Sequence, residues 1–196
     1  DAQEITLPSG VKTINSGAFM NNKTLKKINL PDTLETINTE AFYNCSNLQT
    51  INLNRVTYID DYAFYGCKAL TAGKGETFDI SKMTYIGKYA FEGCSSLAVN
   101  VDASSATYVD EYAFYNTPII SIKLSSVEKI LNYSFAECSE LVSVDFGTKL
   151  QKMCQHAFEN CVSLTTVALP DSLQIFGGNV GASNPTPNLN GYIFAG

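Results

Sequence analysis

The sequence predicts a repeat solenoid: a right-handed, curved superhelix of short parallel β-strands, with turns and short 3-10 or helical segments on the other sides of each coil. Three observations support this prediction. An Ala-Phe pair recurs along the chain, apolar residues keep fixed offsets from it, and one short segment of each unit alternates between apolar and polar residues. Because no single unit can bury its own apolar face, we expect stacked copies to share one interior.

The Ala-Phe pair marks the period. Successive phenylalanines of the seven units are separated by 23, 22, 27, 23, 21 and 23 residues. The pairs are Ala18-Phe19, Ala41-Phe42, Ala63-Phe64, Ala90-Phe91, Ala113-Phe114, Ala157-Phe158 and the variant Ser134-Phe135. We expect each Phe to pack inside its coil, where burial contributes roughly 1.5–3 kcal/mol per copy.

Two further positions keep step with the phenylalanines. Five residues before each Phe stands an aliphatic residue or Met: Ile14, Ile37, Ile59, Ile86, Val109, Ile130 and Met153. Three residues after the Phe stands Cys in five units: Cys45, Cys67, Cys94, Cys138 and Cys161. A position in step with the core predicts a column of reduced, buried thiols, with disulfides between coils as the alternative.

An apolar triplet completes the unit. It has the spacing Leu-x-x-Ile-x-Leu, as in Leu25, Ile28 and Leu30. The last part of the triplet alternates as a strand with one buried face does. A strand that recurs about every 20–29 residues with Leu at these offsets is typical of a leucine-rich-repeat solenoid.

The complete unit resembles a known family. The run Ile37-x4-Phe42-x2-Cys45-x2-Leu48-x2-Ile51-x-Leu53 is similar to the BspA-type leucine-rich repeat, found in bacterial and some protozoan surface proteins. The resemblance covers roughly residues 5–176. It implies a secreted or cell-surface bacterial protein that adheres to host proteins, other cells or matrix.

The chain is expected to form one domain. Residues 1–196 form a single solenoid with about seven repeats over 5–176, and 177–196 form a cap or a linker. The one long gap between phenylalanines falls around Thr71-Ala72-Gly73-Lys74-Gly75-Glu76. Such a loop, with Lys74 at its centre, is a candidate contact element, while the alternative is a tolerated insertion.

Composition argues against several classes of partner. The formal net charge is −6 and the pI about 4.7, with no run of Lys or Arg. Nucleic-acid binders usually carry a basic patch, so we expect no nucleic-acid partner. No segment approaches the ~20 apolar residues of a membrane helix, so we expect no membrane insertion.

The sequence offers no catalytic residue, no cofactor site and no metal site. His156 is the single histidine, and its repeat position places it among tyrosines rather than carboxylates. A four-cysteine zinc site needs pairs two to four residues apart, whereas the nearest pair here is Cys154 and Cys161. We therefore expect a protein that is not an enzyme and that has no cofactor.

The outward positions of the triplet strands form the first candidate surface. They are small, polar side chains, and repeat solenoids commonly bind along such a surface. The candidates are Lys27, Asn29, Thr50, Asn52, Asp79, Lys123 and Asp145. The alternative is a solvated face without a partner.

Tyrosines form the second candidate surface. Two residues before the Phe stand Tyr62, Tyr89, Tyr112 and Tyr133, followed by His156. A second row precedes the aliphatic position: Tyr58, Tyr85 and Tyr108. Tyr is enriched at interfaces, so the rows predict an aromatic platform for a protein or a glycan. The alternative is that stacked rings only shield the edge of the core.

These patterns together predict a non-catalytic protein-binding or adhesion module. Its expected partner is a host matrix or cell-surface protein, or a glycan. Two alternatives remain open: a structural spacer, and an accessory domain of a larger surface protein or enzyme.

Overall fold

The computed structural model describes residues 2–73 and 75–178, and over this range the chain forms a solenoid of parallel strands. Each coil contributes two short strands, joined by turns. The expectation of 3-10 or helical segments was wrong, because the described residues form only strands, turns and bends. The solenoid itself, with one coil per Ala-Phe unit, is confirmed.

The hydrogen bonds of the Ala-Phe corner explain why no helix forms there. The N–H of Phe42 donates to the carbonyl of Ala63 in the next coil at 2.8 Å. The following N–H, of Tyr43, donates within its own coil to Glu40 at 3.0 Å, and that of Asn44 again crosses to the next coil. A helix needs successive N–H groups to donate within one segment, whereas here every second one joins neighbouring coils.

One side of the solenoid carries an unbroken parallel sheet of eight strands, which we call the long sheet. Its strands are β2 (Thr13–Ile14), β4 (Thr36–Ile37), β6 (Tyr58–Ile59), β8 (Tyr85–Ile86), β10 (Tyr108–Val109), β12 (Lys129–Ile130), β14 (Lys152–Cys154) and β15 (Ile175–Gly178). The aliphatic position before each Phe lies in this sheet and points inward. In-step pairing such as Ile37 with Ile59 keeps every buried side chain above the next.

The triplet strands form the opposite surface, in two separate sheets. The first holds β1 (Glu4–Thr6), β3 (Lys27–Asn29) and β5 (Thr50–Ile51). The second holds β7 (Phe78–Asp79), β9 (Asn100–Asp102), β11 (Ser121–Lys123) and β13 (Ser143–Asp145). The break between β5 and β7 coincides with the insertion near residues 71–76. We call these the short sheets.

A file of stacked phenylalanines runs through the interior. Neighbouring rings lie 5.0–5.4 Å apart between centroids and within 14° of parallel. Phe42 to Phe158 are buried, while Phe19, in the first coil, is half-buried. Phe78 adds an edge contact to Phe91 at 5.7 Å. The file confirms that the seven units share one continuous core.

The cysteines are buried and unpaired, as predicted. All six are free thiols. Cys67 Sγ donates to the carbonyl of Phe42, one coil earlier, at 3.1 Å, and Cys161 does the same to Phe135. Burial raises the pKa of the Cys138 thiol to about 11. A thiol that is shielded and disfavours ionisation is a poor nucleophile, which supports a structural role.

Each corner contains two residues in the left-handed backbone region, which sequence reasoning did not predict. One follows the Phe by two residues: Asn21, Asn44, Gly66, Gly93, Asn116, Glu137 and Asn160. The other precedes the Phe by two: Gly17, Glu40, Tyr62, Tyr89, Tyr112, Tyr133 and His156. Asn and Gly adopt this region readily, whereas it is unusual for a bulky side chain. Four tyrosines therefore stand where the backbone favours other residues.

Candidate functional site: the tyrosine face

The tyrosines before the phenylalanines form a continuous stack, which we call the corner ladder. Tyr62, Tyr89, Tyr112, Tyr133 and His156 follow one another at centroid distances of 4.8, 4.7, 5.0 and 4.7 Å. Neighbouring rings are within 17° of parallel. All are half-buried. The ladder thus stands at the surface and covers the Ala-Phe corner, in the order that the repeat predicts.

The second predicted row also stacks, along the edge of the corner. Tyr58, Tyr85 and Tyr108 open strands β6, β8 and β10, and their rings lie 5.1 and 5.7 Å apart. We call this row the strand ladder. Parallel, in-register pairing of the three strands holds the rings in line.

A third tyrosine column was missed by sequence reasoning. Tyr43, Tyr65 and Tyr115 each follow a Phe directly, and we call this position the flank column. Tyr43 stacks on Tyr65 at 4.9 Å. Tyr65 lies tilted against Tyr62 of the corner ladder at 5.9 Å, and Tyr115 makes an edge contact with Tyr112 at 5.5 Å. The repeated Phe-Tyr dipeptide was the sequence signal for this column.

Acidic side chains lie between the two ladders. The Tyr85 hydroxyl donates to Asp110 Oδ2 at 2.8 Å, and Lys88 Nζ lies 2.6 Å from Glu111 Oε2. Burial, with the hydrogen bond to Asp110, raises the pKa of Tyr85. Burial also raises the pKa of Asp61, whose Oδ1 accepts the Lys88 N–H. The two ladders, the flank column and these acidic groups form one surface, the tyrosine face.

Stacking decides which part of each ring a partner can reach. The ring faces within the corner ladder cover one another, so ring edges and hydroxyl groups are the parts that stacking leaves accessible. Aromatic edges carry partial positive charge and faces partial negative charge. The tyrosine face therefore offers a ribbed surface of hydroxyls and ring edges, bordered by carboxylates.

The strand-face candidates lie apart from the tyrosine face, in two groups on the two short sheets. Lys27 and Asn29 belong to the first short sheet, where both bind Glu4: Lys27 Nζ lies 2.9 Å from its carboxylate, and Asn29 Nδ2 donates at 3.0 Å. Thr50 is exposed beside Lys27. Intramolecular contacts thus already engage two of these side chains.

The second short sheet carries a polar row. Asp79, Asp102, Lys123 and Asp145 are aligned by strand register, so that the lysine lies between two carboxylates. Asp102, Lys123 and Asp145 of this row line a shallow open depression. Among the predicted site residues, the structure brings Asp79, Lys123 and Asp145 together here.

Several strand-face candidates have a structural role. The side chains of Asn52, Asp79 and Asp145 each accept a backbone N–H two residues later, at 3.1, 3.0 and 2.9 Å. Such bonds close the turn that follows a strand. The turn explains why Asn or Asp ends these strands. Lys74, the remaining candidate, lies outside the described residues.

The sequence matches the BspA type leucine-rich repeat region in six copies, over residues 1–75 and 74–184. The chain belongs to the BspA-type leucine-rich-repeat family. The tyrosine face is therefore a feature of one BspA-type array rather than of a new fold. Within residues 2–73 and 75–178 of this array, no helix is long and apolar enough to cross a membrane, and no group of His, Cys, Asp and Glu suits a metal ion.

Solved structures of leucine-rich-repeat proteins share this fold. A leucine-rich-repeat protein from Eubacterium ventriosum is 26% identical, with a TM-score of 0.56 over 95% of this chain and 45% of its own. The Treponema pallidum leucine-rich-repeat protein TpLRR is 24% identical, with a TM-score of 0.70 over 88% of this chain and 80% of its own.

A leucine-rich cell-surface protein from Faecalibacterium prausnitzii is 23% identical, with a TM-score of 0.59 over 90% of this chain and 66% of its own. The chain thus spans less than half of the E. ventriosum protein and about two thirds of the F. prausnitzii protein. A search of curated proteins gave no match.

Proposed function

We propose that this chain is a non-catalytic protein-binding module of a secreted or cell-surface bacterial protein, and that the tyrosine face binds its partner. One observation carries the proposal: the fold does not require tyrosine at the corner-ladder position. Gly17 and Glu40 hold the same left-handed conformation in the first two coils, with φ of 65° and 57°. Tyrosines in the later coils supply a surface in addition to closing the corner.

The geometry favours a protein partner over a glycan. Sugars recognised by aromatic residues pack on exposed ring faces, but the faces of the corner ladder are stacked on one another. Ring edges and hydroxyls at regular intervals suit the hydrogen-bonding groups of a polypeptide. Tyr is also a residue type that anchors protein interfaces.

Charge indicates which kind of protein would bind. The net charge is −6, and Asp61, Asp110 and Glu111 lie between the ladders. Complementary charge steers association and selects partners. We therefore propose a partner that presents a basic surface, such as a matrix or cell-surface protein of a host.

The test replaces two tyrosines without disturbing the backbone. Asn adopts the left-handed region, as Asn44 and Asn116 do in this chain, so Tyr89→Asn with Tyr112→Asn removes two rings and keeps the corner. Binding to a panel of matrix and cell-surface proteins is measured by surface plasmon resonance. Loss of interface tyrosines should weaken binding at least about thirtyfold, or ~2 kcal/mol.

A matched control changes two residues on the second short sheet. Lys123→Asn with Asp145→Asn leaves the net charge unchanged and preserves a side-chain acceptor at the turn. We expect this variant to bind as the parent does. Weakening by the control alone would place the binding surface on the strand face instead. Binding only to glycans, or no binding at micromolar concentration, would overturn the proposal, and the second outcome would favour a spacer role.

A further inference from the structure

The flank column is interrupted in the fourth coil. At the position that holds Tyr65 in one coil and Tyr115 two coils later, the chain has Glu92. The backbone confirms the order, since the Glu92 carbonyl accepts the N–H of Gly66 and the Tyr115 carbonyl accepts that of Gly93. Glu92 therefore occupies the place of a missing ring.

The interruption leaves two rings without an aromatic neighbour on the side of the fourth coil. Tyr65 stacks on Tyr43 within 6° of parallel, so its other face points toward Glu92. The Tyr115 ring is inclined to Tyr112 by 64°, and the Tyr65 ring is inclined to Tyr62 by 55°. The two rings therefore have similar orientations, and Tyr115 turns a ring face toward Glu92 from the other side of the fourth coil. Two coils at ~4.7–4.9 Å each separate the rings by about 9–10 Å. Because the Glu92 side chain is shorter than a tyrosine, the outer part of this gap has room for one planar group.

One oxygen of the carboxylate between the rings lacks a partner. Glu92 Oε2 is shielded from solvent and has no hydrogen-bond partner within the described part of the chain. Burial raises the pKa of Glu92 to about 7. Proximity to Glu92 is the first cause of the raised pKa of Tyr65, and it adds to burial at Tyr89 and Tyr115. A shielded, unpaired carboxylate is costly unless a cation or donor meets it.

We propose that this gap, the Glu92 slot, receives an arginine side chain of the protein that binds the tyrosine face. The inference rests on the proposed function and names the contact that fixes the partner's position. A guanidinium is planar, stacks on tyrosine faces and offers paired donors to one carboxylate. The ammonium of lysine is compact rather than planar, so it fits the flat slot and stacks on the two rings less well than a guanidinium does.

A small probe tests the slot without any partner. N-acetyl-arginine amide is titrated into the full chain, and the ring resonances of Tyr65 and Tyr115 are followed by NMR. We expect both to shift and to saturate at millimolar concentration. N-acetyl-citrulline amide, which has nearly the same shape but no charge, and N-acetyl-lysine amide should each bind at least about tenfold more weakly.

Two variants of Glu92 distinguish the effect of its charge from the effect of the open space in the slot. Glu92→Gln removes the charge, and Glu92→Tyr fills the slot with a ring that should stack on Tyr65 and Tyr115. Both should lower the affinity for the arginine probe at least about tenfold. Folding is not at risk, because the same position accepts Met20 and Ala136 in other coils. Glu140→Gln, at an exposed position outside the face, is the control and should leave the affinity unchanged.

The pH dependence of probe affinity gives a second test of the Glu92 slot. Tyr65, Tyr89 and Tyr115 are the titratable groups whose pKa values respond to Glu92, and all remain neutral near pH 7. With a Glu92 pKa of about 7, the ionised fraction falls roughly tenfold from pH 8 to pH 6. Probe affinity should fall by a similar factor.

Several results would overturn the inference: equal affinity of Glu92→Gln and the parent chain, equal affinity for the citrulline probe, or tighter binding of the lysine probe. Failure here is distinguishable from failure of the proposed function. If protein binding requires Tyr89 and Tyr112 while the probe is insensitive to Glu92, only the slot is wrong. If the probe binds through Glu92 and no protein binds the face, the proposed function is wrong.

Discussion

The two sheet-bearing sides of the solenoid respond differently to the insertion around residues 71–76. On the long sheet, β6 pairs directly with β8, as Tyr58 pairs with Tyr85, although the insertion lies between them in sequence. On the opposite side, the row of triplet strands is divided into the two short sheets, with the break between β5 and β7. The extra residues are thus accommodated on one side only. The corner ladder stays continuous because it borders the unbroken side.

The largest expected effect comes from removing one phenylalanine ring of the core that both sides share. Phe91 packs between Phe64 and Phe114 in the coil that follows the insertion. Phe91→Ala should cost about 3–5 kcal/mol of unfolding free energy, because it leaves a cavity in a packed interior. Urea denaturation measures this loss. The half-buried Phe19 provides the comparison, since Phe19→Ala should cost clearly less; equal costs would contradict a continuous core.

A glycine pair tests the rigidity of the two sides. A Cβ at Gly87, beside the long sheet, would lie 2.5 Å from the backbone carbon of Asp60, whereas one at Gly75, in the insertion, would meet nothing within 4 Å. Gly87→Ala should therefore cost about 1–3 kcal/mol from overpacking. Gly75→Ala should cost about 1 kcal/mol or less, from its φ of 79° alone.

Thermal and urea unfolding of the two alanine variants measure whether Gly87→Ala loses more stability than Gly75→Ala. A Gly75→Ala variant that loses as much stability as Gly87→Ala would show that the insertion is packed as tightly as the long sheet. The asymmetry between the two sides would then need another explanation.

The smallest effect concerns the break in the flank column. Between pH 4.5 and 7 the folded chain holds the Glu92 proton more tightly than the unfolded chain, since burial raises the pKa to about 7. The free energy of unfolding should therefore fall as pH rises through this window. Glu92→Gln, which stays neutral, should be more stable than the parent at pH 8 and similar to it near pH 4.

The size of that difference is modest. Glu92 is half-exposed, and solvent screens part of the effect, so we expect less than about 1 kcal/mol at pH 8. Urea midpoints at pH 4, 6 and 8 measure it, with Glu140→Gln as the control that should show no such trend. A parent chain that gains stability over Glu92→Gln as pH rises would contradict a shielded, unpaired carboxylate.

Side-chain spacing alone was enough to predict the core. The Ala-Phe period, the buried cysteines and the triplet strands follow from which residues must face inward, and the phenylalanine file confirms them. The long sheet was not recognised as a sheet. Its strands are mostly two residues long, and two residues show no alternation, so Ile59 or Ile86 indicated burial without indicating a strand.

The rest of the surface depended on backbone geometry that spacing does not reveal. Asn44, Gly66 and Asn116 at one repeat position were the signal for a left-handed residue, and that conformation excluded the expected helical segments. The corner and strand ladders were predicted as rows. The covered ring faces and the partnerless Glu92 emerge only when coils are placed one above another, because both depend on contacts between residues more than 20 positions apart.

The thiol bond from each cysteine to the preceding coil gives the array an internal reporter of local opening. Cys45, Cys67, Cys94, Cys138 and Cys161 mark five different coils, and each donates to the phenylalanine carbonyl one coil earlier. A thiol-specific reagent can reach a given cysteine only when its coil separates from the one before it. Timed labelling, resolved peptide by peptide in a mass spectrometer, would therefore record the order in which the stack comes apart.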